Sequence, residues 1–238
     1  MSLQKIPISV MSALAVEVAF RRWIVPAFEA ETDYRLDISW DPTTVLLQRI
    51  GNGERADAII AIDGSMDRLA GDGIIRPETR IAIARARLGL AVKAGAPHPD
   101  ISTMDAFRQT LLDCESIAYS RGGASGIYFT ELVARLGIAD IVAAKAVTIP
   151  AGFTAEKVAS GEAQLAVQQI SELMTVDGID VVGAFPGEVQ VTTDFSAAVF
   201  ADAANPQGAS DFLEMLSSRL AGEAYHNGGL VSRLTAAA

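Results

Sequence analysis

The chain has 238 residues and a net charge of −10, with half of its residues hydrophobic and a fifth charged. That composition is globular and excludes a disordered chain, and the length allows one large domain or two smaller ones, each with its own core. The acidic balance repels phosphate backbones and argues against general nucleic-acid binding, while a cleft on such a surface can still be locally positive and take a small anion.

Residues 6 to 16 are mostly apolar, but Pro7, Ser9 and Ser12 interrupt them, and Glu17, Arg21 and Arg22 follow directly. No small-residue cleavage site closes the run, so it reads as a strand, a turn and the start of a helix, not as a signal peptide. Met1-Ser2-Leu3 is compatible with an expression leader standing in for a natural start. No run reaches the ~18 apolar residues that a membrane span needs.

Strands are predicted over 6–11, 34–39, 58–62, 87–92, 117–120, 142–147, 164–168, 181–185 and 195–200. Helices are predicted over 13–29, 43–51, 66–71, 103–112 (capped by Ser102), 126–136, 153–160 and 206–220, the last with Phe212, Met215 and Leu216 on one side. Strict alternation of this kind predicts an α/β protein with mostly parallel sheets. The chain is too long for one five-stranded sheet and has no low-complexity linker, which fits two lobes joined by crossing strands.

The single cysteine, Cys114, excludes an intramolecular disulfide and reads as a packed thiol. His98 lies between two prolines and reads as a loop residue; His226, before Asn227-Gly228-Gly229, reads as a helix end. No spacing of His, Cys and carboxylates suggests a metal site, and no cofactor is expected.

In open α/β sheets, ligands bind beyond the carboxyl ends of strands, where helix N-termini offer unpaired N–H groups and partial positive charge. Three strand-to-helix turns carry small hydroxyl or glycine residues. The first is Met11-Ser12-Ala13-Leu14, where Ser12 either serves a ligand or caps the helix. The second is Asp41-Pro42-Thr43-Thr44, with Pro42 suited to a first helical position, Asp41 as a cap and Thr43 and Thr44 as hydroxyl donors. The third is Ser120-Arg121-Gly122-Gly123-Ala124-Ser125-Gly126, where glycines admit close backbone approach, Ser125 opens a helix and Arg121 brings a full charge. It lacks the Gly-Lys-Ser/Thr ending of a nucleotide loop. A fourth segment, Ala166-Val167-Gln168-Gln169-Ile170-Ser171-Glu172-Leu173, runs from a strand into a turn, where Gln169 and Ser171 either face a ligand or belong to an exposed polar turn.

At these turns the chain resembles the molybdate-binding periplasmic proteins over nearly its whole length. The likeness rests on Gln48-Arg49-Ile50 with Gly53-Glu54-Arg55-Ala56-Asp57, on Ser125-Gly126-Ile127-Tyr128 with Arg135-Leu136-Gly137, and on Gly183-Ala184-Phe185-Pro186. The resemblance implies a type II periplasmic-binding fold of two α/β lobes, 1–85 with 195–238 and 86–194, hinged by two crossing segments and closing on an anion. It implies contacts at Ser12 or Ala13, Thr43 and Ser125, and at Phe153 through Pro150-Ala151-Gly152-Phe153. The family's first-turn serine aligns with Ala13, and a tyrosine of the molybdate binders aligns with Gln169. Gln169, Ser171 and Arg121 together suit a larger polar anion such as a carboxylate.

Three functions fit. The first is a monomeric solute-binding protein that hands a small anion to the membrane permease of an ABC-type importer in the periplasm. The resemblance extends to aconitate isomerases, so the second is isomerisation of a small polycarboxylate, with Glu172, Asp63 or Tyr128 as candidate bases. The third is an effector-sensing domain of a transcription regulator, which would need a DNA-binding segment ahead of the first strand near Ile6.

Overall fold

In the computed structural model of the chain, residues 5–234 are described; Met1-Ser2-Leu3 lies outside them. The chain folds into two compact units, one formed by residues up to Arg85 and from Thr193 onward, the other by Ala86–Thr192. The strands are β1 Ile6–Ala13, β2 Tyr34–Asp41, β3 Ala58–Ile62, β4 Ile81–Lys93, β5 Ile117–Ser120, β6 Ala146–Ile149, β7 Leu165–Gln169, β8 Ile179–Ala184, β9 Thr192–Val199 and β10 Val231–Ser232. The chain leaves the first unit along β4 and returns to it along β9.

In the first unit β1 lies between β2 and β3, all parallel, with Ser12 opposite Trp40 on one side and Ile60 on the other. β9 joins β3 antiparallel, and β10 pairs with the start of β4. In the second unit β5, β6 and β7 are parallel, and β4 lies antiparallel between β7 and β8. In each unit three strands pair in parallel, while β9 on β3 and β4 on β7, β8 and β10 pair antiparallel.

The segment after β1 is helical over 14–31, and Pro26 explains its irregularity. Proline cannot donate to the carbonyl four residues back, and its ring clashes there. The chain answers with a π-helical turn over Phe20–Ile24, in which Val25 N–H reaches the Phe20 carbonyl. Phe20 and Phe28 from this segment meet Phe212 edge-on, with ring centroids 5.9 and 5.3 Å away. Phe212 comes from helix Pro206–Leu216, which ends at Ser217; Ser218 then caps a separate helix, Arg219–Asn227, accepting from Ala221 N–H. The predicted helix 206–220 is thus two helices with a capped break. In the second unit Phe107, Phe129 and Phe185 form the aromatic centre, with Phe185 4.7 Å from Phe107 and 6.4 Å from Phe129.

Two other expectations change. Residues 142–147 are not one strand: Ala139–Ala144 is a helix and β6 begins at Ala146. Helix Met104–Asp113 is capped by Thr103, whose hydroxyl accepts Ala106 N–H, and not by Ser102.

The stretch Gly53-Glu54-Arg55-Ala56-Asp57 is structural. Gly53 takes φ +93° after helix Thr43–Gly51, a conformation that favours glycine, and Glu54 pairs with Arg49. Asp57 accepts hydrogen bonds from Ser9 N–H, Ser9 Oγ and Asn205 N–H, tying β1 to the loop before helix Pro206–Leu216. Burial alone would raise this carboxyl, but those bonds and one from Ala204 N–H hold it below the ordinary value.

Candidate functional site

In the first unit, β1 and β2 end side by side, with Ala13 opposite Asp41. Ser12 is fully buried, and its hydroxyl reaches only the Ala13 carbonyl, at 3.3 Å. It does not cap the following helical turn, whose cap position is held by Ala13 without a side-chain bond. Helix Thr43–Gly51 starts behind Pro42, which occupies the cap position and not the first helical position. Asp41 does not cap it either: its carboxylate pairs with Arg49. Val45 and Leu46 N–H take the Pro42 carbonyl, which leaves the first two amides of the helix free of intrahelical partners. Thr43 Oγ1 is buried with no hydrogen-bond partner, while Thr44 is exposed.

In the second unit, the turns after β5, β6 and β7 lie at the carboxyl ends of three adjacent parallel strands. After β5, Ser120 Oγ accepts Gly123 N–H, and helix Ala124–Arg135 starts behind Gly123. Ser125 is buried within the first turn of this helix, and Arg121 is exposed at its mouth. After β6, Phe153 is half-buried in the loop ahead of helix Ala155–Ala159, two residues before that helix begins and not within it.

After β7, Gln169 Oε1 and Ser171 Oγ are both buried without a partner. Gln168, next to them, is fully engaged. Its Oε1 accepts Thr154 N–H at 2.8 Å and the Thr154 hydroxyl at 3.0 Å, and its Nε2 donates to the Gly152 carbonyl at 3.0 Å. It thereby ties the 152–154 loop to the end of β7.

Glu172 completes this cluster. Burial pushes its carboxyl up to about 7, against the smaller opposite effect of hydrogen bonds from the Gln168 amide and Gln169 N–H. The bond from Gln169 N–H is the return half of a capping box, in which the third helical residue reaches back to the cap. The other two candidate bases are occupied. Asp63 accepts from Ser196 Oγ and pairs with Arg233 at 2.9 Å and Arg80 at 3.5 Å. Tyr128 Oη donates to the Val189 carbonyl at 2.7 Å and accepts from Arg135.

Of the residues expected to meet a ligand, Thr43, Gln169 and Ser171 carry three of the four buried side-chain polar atoms without a partner among the described residues; the fourth is Gln190 Oε1. Sequence reasoning did not single out Gln168, whose partners lie 14 and 16 residues away. Two consecutive amides at a strand end were the only signal for it. Among the described residues no three His, Cys, Asp or Glu come together to hold a metal ion, and no helix is long and apolar enough to cross a membrane. Cys114 is buried at the other end of β5, with Sγ 3.5 Å from the Leu111 carbonyl.

Residues 8–231 match the model of a family described as bacterial extracellular solute-binding protein. An aconitate isomerase from Pseudomonas sp is 37% identical over 215 residues, covering 88% of this chain and 82% of that protein. Among solved structures, the periplasmic molybdate-binding protein of Azotobacter vinelandii superposes with a TM-score of 0.76 at 18% identity, over 94% of this chain and 98% of the other. The sulfate-binding protein of Mycobacterium tuberculosis gives 0.74 at 14% identity, over 94% and 86%. The fold is that of the type II periplasmic binding proteins.

Proposed function

We propose that this chain, which belongs to the bacterial extracellular solute-binding protein family, binds a small polycarboxylate anion in its second unit through Ser125, Gln169 and Ser171, with Arg121 supplying charge. The observation that carries this reading is the pair of buried polar atoms in that unit, Gln169 Oε1 and Ser171 Oγ, that have no partner among the described residues. A buried polar atom without a partner costs about 1–3 kcal/mol, and a ligand that hydrogen-bonds these atoms recovers that cost on binding. Hydroxyls, amides and helix N-termini suit an oxyanion. The amide Gln169 and the free guanidinium of Arg121 favour a planar carboxylate over a compact tetrahedral ion. In this role the chain acts as a monomer outside the cytoplasmic membrane, and its partner is the permease of an ABC-type importer. Titration calorimetry with citrate, tricarballylate, cis- and trans-aconitate, sulfate and molybdate tests the reading: heat from the carboxylates supports it, and heat from the tetrahedral anions alone refutes it.

A second reading has its own observation. The relative from Pseudomonas is named for isomerising aconitate, and Glu172 sits near half-protonation at neutral pH, the poise of a group that both takes and returns a proton. Moving a double bond between carbons needs such a group beside the carbon-bound proton. Incubation with cis- or trans-aconitate, followed by ultraviolet absorbance, decides it: interconversion that is lost in Glu172→Gln supports an isomerase, and no interconversion leaves a binding protein.

A further inference from the structure

The polar atoms around Glu172 ask for a particular kind of ligand. Gln169 Oε1 is a pure acceptor, buried and without a donor. Ser171 Oγ, two residues on and also buried, both donates and accepts. Glu172 follows in the same turn of chain, held by the Gln168 amide and Gln169 N–H. Sulfate and molybdate are fully ionised at neutral pH and have no hydrogen to give. Beside this cluster they would leave Gln169 Oε1 unpaired and would meet a second negative charge at Glu172.

The short helix Ile170–Leu173 packs on β7 and β8, and Ile170 also approaches β4 at Gly89, a strand that carries Arg85, Arg87 and Lys93. β7 carries no titratable group, and the only one on β8 is Asp180. Asp180 is committed elsewhere, accepting Gly95 N–H and lying 3.7 Å from His98. The 150–154 loop carries none. The hydrogen bonds on the Glu172 carboxyl come from the Gln168 amide and Gln169 N–H.

We propose that Glu172 is the specificity-determining group of this site: it admits the ligand together with one proton, shared between its own carboxyl and a carboxyl of the ligand, and so selects small polycarboxylates over anions that stay fully ionised. This rests on the binding function proposed above. The proton comes from solvent, and no covalent bond changes.

The direct test is calorimetry with tricarballylate, a saturated tricarboxylate with no double bond to shift, from pH 5.5 to 8.5 and in two buffers of different ionisation enthalpy, on the wild type and Glu172→Gln. The wild type is expected to take up close to one proton per ligand near pH 8 and to lose affinity about tenfold per pH unit above 7. Glu172→Gln is expected to lose that slope and to gain affinity for sulfate relative to tricarballylate. Tricarballylate binding with no proton uptake, or a variant that keeps the wild-type slope and selectivity, overturns the role of Glu172 and leaves the binding function intact. Binding of no carboxylate at any pH overturns both.

Discussion

Gly126 stands so close to Ser120 that a Cβ added to it would lie 1.6 Å from the Ser120 carbonyl oxygen. Helix Ala124–Arg135 can therefore start hard against the end of β5 only if residue 126 has no side chain, and the amides of that first turn owe their position to this contact. Gly126→Ala is expected to cost about 3 kcal/mol and to weaken ligand binding in whatever fraction remains folded. Chemical denaturation measures the first effect and calorimetry the second. Unchanged stability would mean that the helix start gives way freely.

Thr43→Val and Ser171→Ala each remove a buried hydroxyl that has no partner in the unliganded chain. Neither is expected to lower the melting temperature without ligand, because no hydrogen bond is lost and a desolvation cost is relieved. Ser171→Ala is expected to weaken carboxylate binding by about tenfold, the worth of one hydrogen bond. A drop in unliganded stability of more than about 1 kcal/mol, with affinity kept, would assign these hydroxyls to the fold.

Glu172 sets a pH dependence of stability whose sign is fixed by its folded value lying above the unfolded one. Its contribution is full below about 4.5 and is lost as pH rises through about 7. The span amounts to about 3 kcal/mol. Asp57 acts oppositely: its depressed carboxyl contributes above 3.8, and that contribution goes as pH falls through its folded value. Denaturation curves across pH 4 to 8 are expected to show stability declining toward pH 8 in the wild type, and a flatter profile in Glu172→Gln. A wild-type profile that rises from pH 5 to 8 would contradict the raised value of this carboxyl.

Asp63 is held by Ser196, Arg80 and Arg233. Asp63→Asn leaves Arg80 and Arg233 without their shared carboxylate and is expected to cost about 2 kcal/mol. Affinity for the carboxylate is expected to stay within about threefold, since about 0.6 kcal/mol or less is at stake. Loss of binding at unchanged stability would move Asp63 into the site.

Where the sequence carried sharp boundaries, it was legible to the residue. β3 and helix Thr43–Gly51 fall where the apolar run and the turn residues place them, as does β5. The failures have physical causes. Val142 and Val147 suggest one strand, but Gly137 at φ +67° ends the preceding helix and starts a new one, in which Val142 is the buried face. Ser217 and Ser218 break the last predicted helix through a cap bond that periodicity does not register. At the site, hydroxyls at strand-to-helix turns were readable because their place in the chain is local. Gln168 was not, because it acts through partners across the 152–154 loop that its neighbours in sequence do not reveal; Glu172 was named as one of three candidate bases, and only its environment in the fold sets it apart from the other two.

The most direct test of the central claim is thermal melting of the chain against citrate, tricarballylate, trans-aconitate, sulfate and molybdate, each at the same concentration. A ligand at a hundred times its Kd adds about 2.7 kcal/mol, or about 5–10 °C of Tm for a chain of this size. A shift of that order with a tricarboxylate, and little with sulfate or molybdate, is the predicted result. A shift with molybdate or sulfate and none with any carboxylate would contradict it.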